Sequence, residues 1–389
     1  MSALDNRRAV FLVLLDLSAA FDTVDHSVFL GRLSNIFGIS GSVCKWFESY
    51  LCNRSNRVKI AGALSDPQSV NFGLPQGSVI GPQSFSLYTY PVANIIKCYK
   101  NVMFHFYADD TQLYISFDPR NQCEVNDALS SLSNCILSIK KWMANNMLQL
   151  NETKTEFFIA ASPCFTNLLS SVTLKVGSEV ILPASTTKNL GVVFDQSMCM
   201  SNQVSSISSA VNVHLRNLSR IRSFLTQSAC QDAVRAIVTS RIDYANSLLA
   251  GLSSKDTKRL QRLQNRAAKL IFQAKKYDHV SPLIRELHWL CISKRIQFKL
   301  LTIVFKCITD TDAPLYLKEL INPYVPTREG LRSAKDNRVL IIPHSRTSSG
   351  DRGFSAAGPT LWNRLPYNIR HSSSLAAFRK ALKTYLYDS

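Results

Sequence analysis

The sequence predicts an α+β unit over roughly its first 195 residues, followed by an all-helical, strongly basic half. Two observations carry that prediction. Short apolar or aromatic runs alternate with helix-period segments up to Asp195, and beyond it only helical periodicity remains. The charge changes at the same place: residues 1–195 hold 15 Lys/Arg and 15 Asp/Glu, whereas residues 196–389 hold 30 and 12. The whole net charge of +18 therefore lies in the helical half. Such an excess points to a polyanion, and nucleic acid is the commonest one. The bland alternative is a basic surface that serves only solubility.

Val10–Leu17 (VFLVLLDL) reads as a strand buried on both faces. Arg7-Arg8 before Ala9–Leu15 imitates a secretory leader, but that run has seven residues and Asp16 ends it. No run is long enough to cross a bilayer. Asp22 is the expected cap of a helix carrying Phe29, Leu30, Leu33 and Ile36. A helix at Val43–Leu51 leads to a hairpin, Arg57–Ala61 and Gln68–Phe72, turning at Ser65-Asp66-Pro67. Gly73–Pro82 is a loop that opens one helix over Phe85–Ile96. Met103–Tyr107 and Leu113–Phe117 flank Ala108-Asp109-Asp110-Thr111 as a tight hairpin. A helix spans Val125–Met147, Asn151–Lys154 turns into the strand Glu156–Ala160, and strands follow near Thr173–Val176 and Asn189–Phe194. Helices are then predicted over Ser201–Phe224, Ser228–Leu249, Ser254–Lys276, Ser293–Thr309 and Ser374–Tyr387, with a Pro/Arg-rich stretch at Pro314–Gly358. On Ser254–Lys276 the residues Lys258, Arg259, Arg262, Arg266 and Lys269 fall on one face, as phosphate contacts would require.

Ten cysteines contain no C-x-x-C and no zinc-knuckle spacing. They read as reduced thiols serving as core hydrophobes of an intracellular protein, nuclear or cytoplasmic and not secreted.

Three carboxylates stand out. An ionised Asp16 on an apolar strand is expensive unless paired or bound to a metal. Asp109 and Asp110 are adjacent at a hairpin tip, where each raises the other's pKa unless a cation neutralises them. If the two strands are neighbours, all three converge into an oxygen-rich site suited to Mg2+. Two such ions would support in-line phosphoryl transfer. A plain Asp-Asp turn with a capping aspartate is the structural alternative.

Leu15–His26 (LDLSAAFDTVDH), Gly73–Pro82 (GLPQGSVIGP) and Phe106–Thr111 (FYADDT) occur in that order. They resemble motifs A, B and C of reverse transcriptases, in the form used by jockey-like and chicken-repeat-like LINE (non-long-terminal-repeat) retrotransposons. Asn151–Glu156 (NETKTE) resembles motif D, and Leu190–Asp195 (LGVVFD) the primer-grip segment. Leu263–Ala268 (LQNRAA), Leu287–Leu290 (LHWL) and Leu361–Pro366 (LWNRLP) resemble the C-terminal region of the same elements.

The resemblance implies a right-hand polymerase palm at residues 1–195, a helical thumb at 196–276 and a basic C-terminal region at 277–389. It implies RNA-directed DNA synthesis from an RNA template, a DNA primer or target and deoxynucleoside triphosphates, with two Mg2+ ions for which Mn2+ could substitute, and no membrane partner. Asp16, Asp109 and Asp110 match the metal-binding triad. Lys154 matches the lysine that would assist the leaving pyrophosphate. Phe21 matches the aromatic that disfavours ribonucleotides, by a clash where an apolar wall alone would discriminate only about 100-fold. Gln76 and Gly77 match the nucleotide-contacting pair, and Leu190 and Gly191 the primer grip.

The chain also departs from the pattern. Only 15 residues precede Asp16, so the fingers and any endonuclease of the family are expected to be missing, which implies weak polymerisation by this chain alone. Gln83 and Ser84 stand where the relatives place apolar residues, which predicts poorer packing of that helix. The alternative function is a catalytically inactive nucleic-acid-binding remnant.

Overall fold

A computed structural model describes residues 1–309, 313–325 and 338–388. The chain divides into two compact units, residues 7–187 and residues 188–389 together with 1–6.

The first unit is built on a five-stranded sheet. Its strands are β1 (Ala9–Ser18), β2 (Met103–Tyr107), β3 (Asp110–Phe117), β4 (Gln149–Ala160) and β5 (Pro183–Ala184), in the spatial order β5-β4-β1-β3-β2. β1 is central and antiparallel to both neighbours, pairing Ala9 with Phe117 through Leu15 with Thr111 on one side, and Val10 with Ala160 on the other. Only one face of β1 is fully buried, contrary to the expectation of two. Ala9, Phe11, Val13, Leu15 and Leu17 point into the core, while Val10, Leu12, Leu14 and Asp16 line a half-open face. Antiparallel sheets commonly leave one face to solvent, and the helices here cover the other. Phe11 lies 4.0 Å from Phe117 and 5.3 Å from Phe157 between ring centroids, anchoring the three middle strands together.

The helices are α1 (His26–Asn35), α2 (Gly41–Leu51), α3 (Gly81–Thr89), α4 (Pro91–Lys97) and α5 (Gln122–Ala144). Asp25, not Asp22, caps α1, its carboxylate accepting from the Val28 amide at 2.9 Å. The expected single helix at 85–96 is two, because Pro91 lacks the amide needed to continue the first. Asn121 caps α5, whose Val125, Leu132, Ile136, Ile139 and Met143 enter the core. The hairpin after α2 turns at Ala61-Gly62, both with positive φ, and not at Ser65-Asp66-Pro67. Ser65 still donates across to the Val58 carbonyl at 2.9 Å. A left-handed two-residue turn matches strand twist, which Pro67 cannot supply. Near 173–181 two short strands, Leu174–Val176 and Glu179–Ile181, pair with each other.

The second unit is helical apart from short strand segments. Its helices include α6 (Ser201–Ile221), α7 (Gln227–Val234), α8 (Ser254–Phe272), α9 (Ser281–Glu286), α10 (Ile292–Thr309), α11 (Phe354–Asn363) and α12 (Leu375–Asp388). The helix expected over 228–249 is interrupted by a wide π-type turn at Arg235–Thr239 and ends as a 3-10 turn at Asn246–Leu249. Its core is one stripe from each of α6, α7 and α8, including Val204, Val211, Leu215, Val234, Leu260, Leu263 and Ile271. A further cluster joins α10, α11 and α12 through Phe305, Trp362 and Phe378. The helix α11 begins inside the stretch read as Pro/Arg-rich at 314–358, and residues 326–337 of that stretch lie outside the described residues. Among the cysteines only Cys135 and Cys230 are fully buried and Cys307 packs half-buried on the core, so the expectation that all serve the core fails for the others. Burial pushes the Cys135 thiol up to about 12, which leaves it unreactive. Among the described residues no helix is long and apolar enough to cross a membrane.

Candidate active site on the central strands

The site grows from the end of β1. Register runs to Leu15 opposite Thr111, so Asp16 and Asp110 follow as neighbours on the half-open face. β2 and β3 close on Tyr107 opposite Asp110, which leaves Ala108 and Asp109 as a two-residue turn. Ala108 has φ 53°, a left-handed conformation costly for a side chain and typical of strain held at functional turns. The pKa of Asp110 is raised, first by burial and then by the charges of Asp109 and Asp16. Asp110 thus lies close enough to both Asp109 and Asp16 to feel their charges.

Lys154 arrives by an irregularity that the sequence reading missed. Asn151–Lys154 is not a turn before a strand but a bulge within β4. Leu14 pairs with Glu156, yet Asp16 pairs with Asn151, so the intervening residues leave the ladder. The Thr155 hydroxyl closes the bulge onto the Asn151 carbonyl at 3.0 Å, and Lys140 pairs with Glu152. Lys154 Nζ then stands 3.7 Å from Asp16 Oδ2. At that distance, with Lys154 70% exposed, the pair is a weak one of about 0–1 kcal/mol.

Asp16 is 34% exposed as a side chain, but its Oδ2 is shut from solvent and has no hydrogen-bond partner. An unmet buried carboxylate oxygen costs more than the about 1–3 kcal/mol of a neutral one, so the distant ammonium does not offset it. Among the described residues no three His, Cys, Asp or Glu side chains are grouped to hold a metal ion. The donor set nevertheless fits a hard divalent cation: oxygen only, one orphaned acceptor, and a neighbour whose carboxylate repels it.

The loop after β1 positions the remaining residues. Ala19 has φ 48° and its carbonyl accepts from the Asp22 amide at 2.9 Å, so the chain folds back at once. Phe21 packs on Phe85 of α3, with ring centroids 5.0 Å apart, and its carbonyl accepts from the Leu74 amide at 2.7 Å. Gln76 donates to Asp22 Oδ1 at 2.9 Å. Gly77 has φ 83° with open space where a Cβ would stand. Gly73 is more constrained, because a Cβ there would sit 2.9 Å from the Asp22 carbonyl oxygen. His26 Nε2 bonds the Gly73 carbonyl at 2.7 Å. Asp22, His26 and Gly73 therefore fix where Phe21 and Gln76 stand, and only the glycine carried a sequence signal for it. Ser84 is buried with an unpartnered hydroxyl, as expected of a polar residue in that helix, whereas Gln83 is exposed and costs no packing.

In the second unit Leu190 and Gly191 form a left-handed turn, with φ 45° and 79°, between Thr186–Asn189 and Val192–Asp195. Tyr244 donates to the Leu190 carbonyl at 2.6 Å, and its ring lies 3.4 Å from the place of a Gly191 Cβ. No feature of the sequence marks Tyr244 for that contact. On α8, Lys258, Arg259, Arg262 and Arg266 are exposed and Lys269 is half-buried. Arg259 donates to Ser205 at 2.9 Å, Arg266 bonds Asn212, and Lys269 bonds the Lys276 carbonyl. Arg222 is buried and donates to the carbonyls of Leu225, Leu270 and Ile271, which caps the end of α8 with a cation.

Residues 2–194 match the family model for reverse transcriptase (RNA-dependent DNA polymerase). The probable RNA-directed DNA polymerase from transposon BS of Drosophila melanogaster is 26% identical over 76% of this chain and 32% of its own length. That from the X-element of the same fly is 25% identical over 70% and 29%. The polymerase of its mobile element jockey is 24% identical over 56% and 23%. The chain thus spans about a third of the length of the first two of these curated relatives. Telomerase from Candida albicans covers 75% of this chain and 47% of its own at 12% identity and a TM-score of 0.30, which leaves the fold to be argued from the chain itself. Through residues 2–194, the chain belongs to the reverse transcriptase family, in the line of the non-long-terminal-repeat transposon polymerases.

Proposed function

We propose that this chain carries the catalytic core of an RNA-directed DNA polymerase, with residues 1–195 acting as palm, 196–276 as thumb and 277–389 as a basic C-terminal region. The observation that carries the proposal is the orphaned, buried Oδ2 of Asp16 beside the Asp109-Asp110 hairpin. Asp16, Asp109 and Asp110 would hold divalent cations. Bound Mg2+ would supply activation of a primer 3′-hydroxyl and neutralisation of the departing pyrophosphate. Lys154 places a positive charge beside Asp16, where charge on a leaving group could be met. Phe21, held by Phe85, forms a fixed wall against a 2′-hydroxyl. Gln76, oriented by Asp22, presents an amide to the incoming nucleotide, and Gly77 leaves room for it. Leu190 and Gly191 would steady the primer, and the cations of α8 would meet template–primer phosphates.

The test is incorporation of dTTP on oligo(dT)-primed poly(rA) by the purified chain with Mg2+. Weak incorporation, abolished by Asp110→Asn, is expected. Incorporation that survives Asp110→Asn contradicts the assignment. Nucleic-acid binding with no incorporation under any condition would leave the non-catalytic alternative.

A further inference from the structure

Two adjoining cavities lie in the second unit, the first lined by α8 cations already named for phosphate contact. One, of 850 Å3, is a furrow between α6 and α8 lined by Arg216, Arg262, Arg266, Lys269 and Lys276. The other, of 490 Å3, lies among α8, α9, the 287–291 loop and the end of α12, with Trp289, Tyr387, Ile284, Arg285 and Lys294 in its wall. Asn265 and Val280 line both, so the furrow and the pocket adjoin. No aspartate or glutamate lines either cavity among the described residues. A row of cations without carboxylates suits phosphates, and an aromatic-walled pocket of this size lies within the about 300–1,000 Å3 range of small-ligand sites.

The aromatic wall is fixed in place. The Arg295 guanidinium stands 5.7 Å from the Trp289 ring centroid and is itself locked by Asp243 at 2.6 Å and the Leu290 carbonyl at 3.0 Å. The Tyr387 hydroxyl donates to the Arg285 carbonyl at 3.0 Å, and His288 stacks on its ring at 6.3 Å. Preset aromatics lose little freedom when a flat ligand stacks on them.

We propose that this composite cleft binds a single nucleic-acid strand, its phosphates along the furrow and one unpaired base in the Trp289–Tyr387 pocket. A paired base could not enter, because its faces are taken by its neighbours in the stack; stacking on aromatic rings serves single strands. The cleft shares its α8 cations with the polymerase reading but does not rest on it, since neither metal nor nucleoside triphosphate is needed to fill it.

The test is anisotropy of labelled oligouridylate, oligothymidylate, an abasic strand of the same length and a blunt RNA duplex with the full chain, without Mg2+ or nucleotides. Wild-type protein is expected to bind the base-bearing strands about tenfold more tightly than the abasic strand. Trp289→Ala should remove that difference, Trp289→Phe should keep it, and neither should change the salt slope. Arg262→Gln with Arg266→Gln should make the slope shallower by about 0.7 per lost contact. The RNA and DNA arms show which sugar is preferred. Equal binding of base-bearing and abasic strands by the wild-type protein, or a duplex bound as tightly as a single strand, overturns the proposal, as does a folded Trp289→Ala that keeps the difference.

Discussion

At the scale of single residues, the account turns on groups whose surroundings do not suit them. Asp16 has an acceptor that nothing in the chain satisfies, and Ser84 has a buried hydroxyl in the same condition. The two cases have opposite outcomes. Ser84 lies 1% exposed in α3 with its hydroxyl unpartnered, so it is a plain cost. Ser84→Ala should raise stability by about 1 kcal/mol in denaturant unfolding, because an unmet hydroxyl is removed with little volume. Gly73→Ala should do the reverse. With φ 89° and Asp22 backbone atoms at 2.9–3.1 Å, the new methyl meets strain and a clash, and a loss above about 1 kcal/mol is expected in the same measurement. The three carboxylates were legible in the sequence because residue type and motif spacing carry charge. The partners that orient Phe21 and Gln76 were not, because hydrogen bonds between loops 47 and 54 residues apart leave no local periodicity.

Among elements, strands and helices with clear periodicity appeared where expected, and the errors fall on irregular backbone. The β4 bulge broke a register that alternation would have continued, and it is the bulge that delivers Lys154 to Asp16. Pro91 splits the apolar run 85–96 into two helices, which its hydrophobicity alone does not show. Capping is a short-range choice between Asp22 and Asp25, and the structure gives Asp22 to Gln76 instead. Asp195 shows the same economy at the entry of α6. It is 7% exposed and accepts from the Cys199 amide at 2.8 Å, the Met200 amide at 2.7 Å and the Ser197 hydroxyl at 2.9 Å. Burial pushes its pKa upward, but these hydrogen bonds outweigh it and hold the carboxyl below its ordinary value. A depressed folded-state pKa gives stability that is present above the unfolded value of 3.8 and lost as pH falls through the lower folded value. Asp195→Asn should therefore destabilise the protein near neutral pH, by about 1–2 kcal/mol, and flatten its stability profile below 3.8. A profile as steep as that of the wild type would show that other carboxylates set it.

For the whole molecule, charge and chemistry are divided between the units: the carboxylates sit on the sheet of residues 7–187, and the cationic furrow lies in residues 188–389. The sequence announced that division through its charge balance alone, since 30 of the 45 basic residues follow position 195. It could not reveal that the cations of α8 share a furrow with Arg216 and Lys276, because they come together only through packing of α6 against α8. The polymerase reading makes one demand of the whole: its carboxylates must share a divalent ion. The most direct measurement is anomalous diffraction from crystals grown with Mn2+. A peak within about 2.5 Å of Asp16 Oδ2 and of an Asp110 oxygen is predicted. Well-ordered density for both side chains, with no peak between them and Asp16 Oδ2 facing only Lys154, would contradict it.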